Sequence, residues 1–74
     1  MDIIVYSKPA CVQCTATQRA LESKGIQYRY IDLSTDSAAQ EHVLSLGYRQ
    51  APVVVAGKDH WSGFRPDLIN RITQ

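Results

Sequence analysis

The chain's two cysteines stand three positions apart, as Cys11-Val12-Gln13-Cys14. One helical turn brings thiols at that spacing close enough to form a disulfide. They follow Ile3-Ile4-Val5-Tyr6, a continuous apolar run that reads as a strand covered on both faces. They open a segment that reads as a helix from about Cys11 to Lys24, with Gly25 placed to cap its end. A helix N-terminus carries unpaired backbone N–H groups and the positive end of the helix dipole, and both stabilise a thiolate. A dithiol delivered there by a strand is laid out for redox chemistry.

Size and charge narrow the field. Seventy-four residues predict a single domain over 1–74 that buries roughly 60–65% of its unfolded surface. A hydrophobic content of 45% argues against disorder. Net charge is +1 and no basic stripe occurs, so nucleic-acid binding has no electrostatic support. Asp2 sits where a signal peptide would be positive, and the apolar run after it is too short for a membrane span. The expectation is a cytoplasmic protein with no membrane association. In that compartment a lone cysteine pair is more often catalytic or metal-binding than structural.

Downstream, Ile26 to Ile31 alternates as a strand does, and Asp32-Leu33-Ser34 leads out of it. A second helix is expected from about Asp36 or Ser37, where Ser37 and Gln40 have capping-box spacing. Ala39, Val43 and Leu46 would line its buried face and Gly47 would end it. Pro52 precedes a third strand, Val53 to Ala56, and Gly57-Lys58 reads as a turn into Asp59 to Ser62. Pro66 suits the first position of a short last helix bearing Leu68, Ile69 and Ile72. The order is β-α-β-α-β-β-α, an α/β fold. Its first two strands run parallel through a right-handed crossover, and a final antiparallel hairpin makes the sheet mixed. Three helices cover its faces. Tyr28, Tyr30 and Tyr48 are expected in the core or half-buried, and Tyr6 ends the first strand near the dithiol.

The dithiol roles follow from position. Cys11, at the start of the first turn, is the attacking thiolate, and Cys14, shielded one turn on, is the resolving thiol. Val12 and Gln13 add no charge, and Lys8 is the nearby cation. A modestly lowered Cys11 pKa follows, closer to the value of about 7 found in reducing dithiols than to about 3.5. A structural disulfide across one turn constrains the unfolded chain little. A zinc site needs two further ligands, for which only His42 and His60 remain, singly placed.

With this order of elements, the dithiol and Pro52 in place, the chain resembles the glutaredoxin-like branch of the thioredoxin superfamily, and more closely the NrdH-redoxins. Two segments carry the resemblance: Cys11-Val12-Gln13-Cys14 and Trp61-Ser62-Gly63-Phe64-Arg65-Pro66-Asp67. It extends over essentially all 74 residues. It implies the minimal thioredoxin fold and a cis proline at Pro52 beside the dithiol, which would bare the Ala51 backbone to an extended substrate peptide. It also implies an oxidoreductase that passes electrons to the large subunit of class Ib ribonucleotide reductase and is recharged by thioredoxin reductase. NADPH and FAD then belong to that reductase, and no cofactor is bound to this chain.

Glutathione-using glutaredoxins carry a Gly-Gly turn and an acidic residue in the region of the second segment. Here Arg65 and Pro66 stand in those places, with Asp67 one residue late. Pro66 has no N–H to offer a carboxylate, and Arg65 cannot replace an acid facing an amine. A glutathione site is therefore doubtful, and a glutathione-dependent glutaredoxin is the second reading, ahead of an iron–sulfur or metal-binding module. The residues placed at a partner surface are Lys8, Val12, Gln13, Ala51, Pro52, Trp61, Ser62, Gly63, Phe64 and Arg65. For Trp61 a packing role and a contact role are both open, and Arg65 has the alternative of bonding backbone carbonyls to fix the turn. With no large apolar patch in the sequence, a monomer is expected.

Overall fold

The computed structural model describes residues 2–72. Its elements are β1 (Ile3–Ser7), α1 (Val12–Ser23), β2 (Arg29–Asp32), α2 (Ser37–Ser45), β3 (Val53–Ala56), β4 (Asp59–Ser62) and α3 (Pro66–Ile69). The strands form one sheet in the order β2-β1-β3-β4. β1 runs parallel to β2, with Val5 opposite Tyr30, and antiparallel to β3, with Val5 opposite Val54. β3 and β4 close the antiparallel hairpin. This is the mixed sheet with three helices that the sequence predicts, a thioredoxin-like fold.

Alternation along the central strands divides the core into two layers. Ile3 and Val5 of β1, with Val54 and Ala56 of β3, join Leu21 of α1, Trp61 of β4 and Ile69 beneath α1 and α3. Tyr6 and Val53, with Ile4 and Val55 packed alongside, meet Ala39 and Val43 of α2 on the other face. On α1 the buried positions are Cys14, Thr17 and Leu21, a narrow stripe that lets the helix lie close to the sheet.

The local details that differ from the sequence reading include the start of β2, the cap of α2 and the end of α3, which closes at Ile69 and leaves Ile72 beyond it. β2 begins at Arg29, not Ile26. The Ile26 N–H is used in closing α1, donating to the Leu21 carbonyl at 3.0 Å while Gly25, at φ +70°, donates to Glu22. This is the Schellman closure, which needs a residue that tolerates positive φ after the cap. Ile26 itself is buried in the core, so its apolar character serves packing and not the ladder. The second difference is the cap of α2. Asp36 is the N-cap, accepting the Ala39 N–H at 2.9 Å. Ser37 is therefore the first helical residue, and the Gln40 amide donates to the Leu33 carbonyl instead of closing a box with Ser37.

Candidate active site

β1 ends at the buried Ser7, and the chain turns through Lys8-Pro9-Ala10 into α1. Ala10 takes a left-handed conformation, φ +57°, to make that turn, at a cost of about 1 kcal/mol for a residue with a Cβ. Cys11 follows as the N-cap, extended at φ −111° and ψ 108°. Its Sγ accepts the backbone N–H of Cys14 at 3.2 Å. Its carbonyl accepts the Thr15 N–H at 3.1 Å, the first bond of the helix. The reactive sulfur thus takes the place of a capping oxygen, in the field of the helix N-terminus.

Cys11 and Cys14 are joined as a disulfide with their Cα atoms 5.2 Å apart. Cys11 is half-buried, whereas Cys14 is 2% exposed under the first turn of α1. Only the first sulfur is open to an incoming disulfide. A dithiol needs this asymmetry if one thiol is to attack and the other to resolve.

The Ala51–Pro52 peptide is cis, and the Ala51 carbonyl oxygen lies 3.9 Å from Cys11 Sγ. The segment after β4 is tied to both flanks of the dithiol. The Gly63 N–H donates to the Pro52 carbonyl at 2.8 Å, and the Ser62 hydroxyl to the Gln50 carbonyl at 3.1 Å. The Phe64 N–H donates to Gln13 Oε1 at 3.3 Å. Gly63 sits at φ +86°, where a Cβ would lie 3.4 Å from that same Gln13 oxygen. That is an ordinary contact distance, so it is the backbone conformation, and not lack of space, that favours glycine here.

Of the residues placed at a partner surface by sequence, the structure gathers most around Cys11. Val12 projects into solvent at 84% exposed, and Phe64 and Lys8 are also exposed. Gln13, Ser62 and Gly63 instead hold backbone in position. Of the two roles open for Trp61, packing is the one the fold displays: it is 6% exposed and packs in the α1/α3 core. On β4 it stands opposite Val54 of β3 and so shares that residue's core face. Among the described residues Arg65 makes no hydrogen bond to a backbone carbonyl. Its Nε and Nη2 donate to the two carboxylate oxygens of Asp67 at 3.2 and 3.0 Å. This fork holds the Asp67 carboxyl below its ordinary pKa and the guanidinium above its own.

Tyr30 is the residue that sequence reading misses. Expected in the core or half-buried, it is exposed and lines the same groove as Lys8, Cys11, Val12 and Cys14. β2 is an edge strand, so the ring on its α1 face can reach past the helix toward the dithiol. His42 stands near the Tyr6 ring and His60 is bonded to the Tyr48 hydroxyl at 2.7 Å, and neither lines the dithiol groove. None of the described helices is long and apolar enough to cross a membrane.

Comparison with known proteins agrees with this geometry. Residues 3–61 match the Glutaredoxin family model. The glutaredoxin-like protein NrdH of Escherichia coli strain K12 is 47% identical over 72 residues, covering 97% of this chain and 89% of the relative. NrdH of Lactococcus lactis subsp. cremoris is 31% identical over 70 residues, covering 95% of this chain and 97% of its own. The solved structure of NrdH-redoxin from Escherichia coli, described as a glutaredoxin-like protein with a thioredoxin-like activity profile, superimposes with a TM-score of 0.96. It is 46% identical and the match covers 100% of this chain and 97% of that one.

Proposed function

The chain belongs to the glutaredoxin family, among its NrdH glutaredoxin-like members, and from that premise we propose that it supplies electrons to a class Ib ribonucleotide reductase. As a member of this family it is a thiol-disulfide oxidoreductase. In the proposed cycle the reduced protein meets a disulfide on the reductase large subunit. The Cys11 thiolate attacks one target sulfur, breaking the target disulfide and forming a mixed disulfide, and the displaced target sulfur takes up a proton. Cys14, as its thiolate, then attacks Cys11 Sγ. That step forms the intramolecular disulfide and expels the second target thiol. Two electrons have passed to the target, and this chain is left in the disulfide form.

Thioredoxin reductase returns it to the dithiol, with NADPH and FAD acting on that enzyme and none bound here. The observation that carries this reading over glutathione use is the Arg65–Asp67 fork after Gly63. In a glutathione-binding glutaredoxin an acid in this region faces the amine of the tripeptide. Here the nearest carboxylate, Asp67, is already engaged by a guanidinium, and Pro66 between them offers no N–H. The residues proposed to form the surface for the reductase large subunit and for thioredoxin reductase are Lys8, Val12, Gln13, Ala51, Pro52, Ser62, Gly63, Phe64 and Arg65. Trp61 supports that surface from below. The protein is proposed to act as a cytoplasmic monomer.

The test is NADPH oxidation with a disulfide substrate under two recycling systems, one with thioredoxin reductase and one with glutathione and glutathione reductase. Turnover with thioredoxin reductase alone, abolished in Cys11→Ser, is the expected result. Turnover with glutathione alone overturns the reading in favour of a glutathione-dependent glutaredoxin. Reduction of a class Ib ribonucleotide reductase then tests the partner.

A further inference from the structure

A second groove meets the dithiol from the α2 side. It is a cavity of about 310 Å³ whose apolar floor is Val43, Leu44 and Leu33, with Tyr48 at one wall. Lys8 and Ala51 line it too, and these residues connect it to Cys11: Lys8 also lines the dithiol groove, and the Ala51 carbonyl lies 3.9 Å from Cys11 Sγ. The walls are held before anything binds. Tyr48 donates to the His60 carbonyl at 3.2 Å, Gln40 donates to the Leu33 carbonyl, and Ser34 is bonded through N–H and hydroxyl to Asp32 at 2.8 and 2.6 Å. Leu44, by contrast, is left 55% exposed, while Ala39 and Val43 of the same helix are buried.

The charged side chains that line this groove are of one sign, with the Asp32 carboxylate set behind Ser34 and bonded to it. Lys8 and Arg49 line it, no Asp or Glu does, and among the described residues neither cation has a carboxylate partner. We propose that this groove reads the target peptide beside its disulfide, seating one apolar side chain on Leu44 and Val43 and the carboxylate of an adjacent Asp or Glu between Lys8 and Arg49. The inference rests on the oxidoreductase reading above and adds the class of target: disulfides flanked by an apolar-acidic pair. Continuity with the attacked sulfur and complementary charge select this occupant. A strand of peptide lying along the Ala51 backbone would place successive residues on alternate sides, one toward Cys11 and the next toward this groove.

The experiment uses the reduced full chain and short synthetic peptides, each holding one intramolecular disulfide. The flanking pair is Leu-Glu, Leu-Lys or Ser-Glu, placed before the disulfide in one series and after it in another. Rates of peptide reduction are followed by acid quench and chromatography. In at least one series Leu-Glu should be reduced about three- to fivefold faster than Leu-Lys at low salt, as expected for exposed ion pairs, with the gap closing at high salt. Arg49→Glu should reverse that order, and a reversal cannot come from a misfolded variant. Leu44→Ala should remove the advantage of Leu-Glu over Ser-Glu. Equal rates for the three peptides in both series, or an order unchanged by Arg49→Glu, overturns the proposal while leaving the oxidoreductase reading intact. If no peptide is reduced at all, both fall.

Discussion

Gln13, between the two cysteines, accepts the backbone N–H of Phe64 on its side-chain oxygen at 3.3 Å, across 51 positions of sequence. The bond couples the two segments that set this chain apart, since Gln13 rides on the first turn of α1 and Phe64 follows the Gly63 turn. That turn is itself fastened to the Pro52 carbonyl. Cys11 is thereby enclosed by three segments that share hydrogen bonds, and a change at position 13 is a change in loop position as much as in redox chemistry.

Removing that acceptor should loosen the loop without unfolding the protein. Gln13→Ala is expected to cost about 0.5–1 kcal/mol, the range for one solvent-accessible hydrogen bond. Amide exchange at Phe64 should rise selectively, while amides of β1 and β3 keep their protection. Turnover with thioredoxin reductase should fall several-fold through KM. Unchanged exchange at Phe64 would mean that the loop is held by the Gly63 and Ser62 bonds alone.

The burial asymmetry of the cysteines makes the two serine variants behave oppositely. Cys14→Ser keeps the accessible sulfur and lacks the resolving thiol, so it should accumulate a mixed disulfide with its target. Cys11→Ser leaves a thiol that is 2% exposed and should neither trap a target nor react promptly with an alkylating reagent. Mass spectrometry of the two variants after mixing with a target disulfide checks this. Trapping by Cys11→Ser would reverse the assigned roles.

Much of this was legible in the sequence because local rules and global fold agree. The dithiol, the strand before it, the glycine closures and Pro66 at the start of α3 each carry a short-range signal, and each falls where expected. The failures lie where tertiary context decides. Tyr30 and Tyr28 look alike in an alternating run, yet Tyr28 packs on the core while Tyr30, at the sheet edge, faces the dithiol groove. The Arg65–Asp67 fork is a local exception: its partners stand two residues apart, and the sequence reading weighed backbone carbonyls for Arg65 instead. The α2 groove left no mark in sequence, because Lys8, Leu44 and Arg49 come from separate segments that only the fold brings together.

Trp61 should report on the core and not on docking. Its indole N–H is buried and makes no hydrogen bond among the described residues. Trp61→Phe therefore sacrifices no hydrogen bond and should cost only about 1–1.5 kcal/mol, as a shape change in a packed site does. Trp61→Ala opens a cavity between β4 and α3 and should cost about 3–5 kcal/mol. Chemical denaturation of the two variants measures both. A Trp61→Phe variant that is fully stable but no longer accepts electrons from thioredoxin reductase would restore a contact role to this residue.

Alkaline titration should single out Tyr28. Partial burial against the core, followed by the 2.6 Å hydrogen bond to Glu22 Oε2 and the negative charge of that carboxylate, pushes its pKa up to about 12. The unfolded chain would release this proton near the ordinary value of about 10. The folded state thus binds the proton more tightly, so its contribution to stability is complete below pH of about 10 and is lost as pH rises toward about 12. Ultraviolet difference absorbance should show a late ionisation from Tyr28, and Tyr28→Phe should remove that contribution. Glu22→Gln should move it to lower pH, since the carboxylate acceptor and its charge are both lost. A late phase that survives in Tyr28→Phe would assign it to another of the four tyrosines.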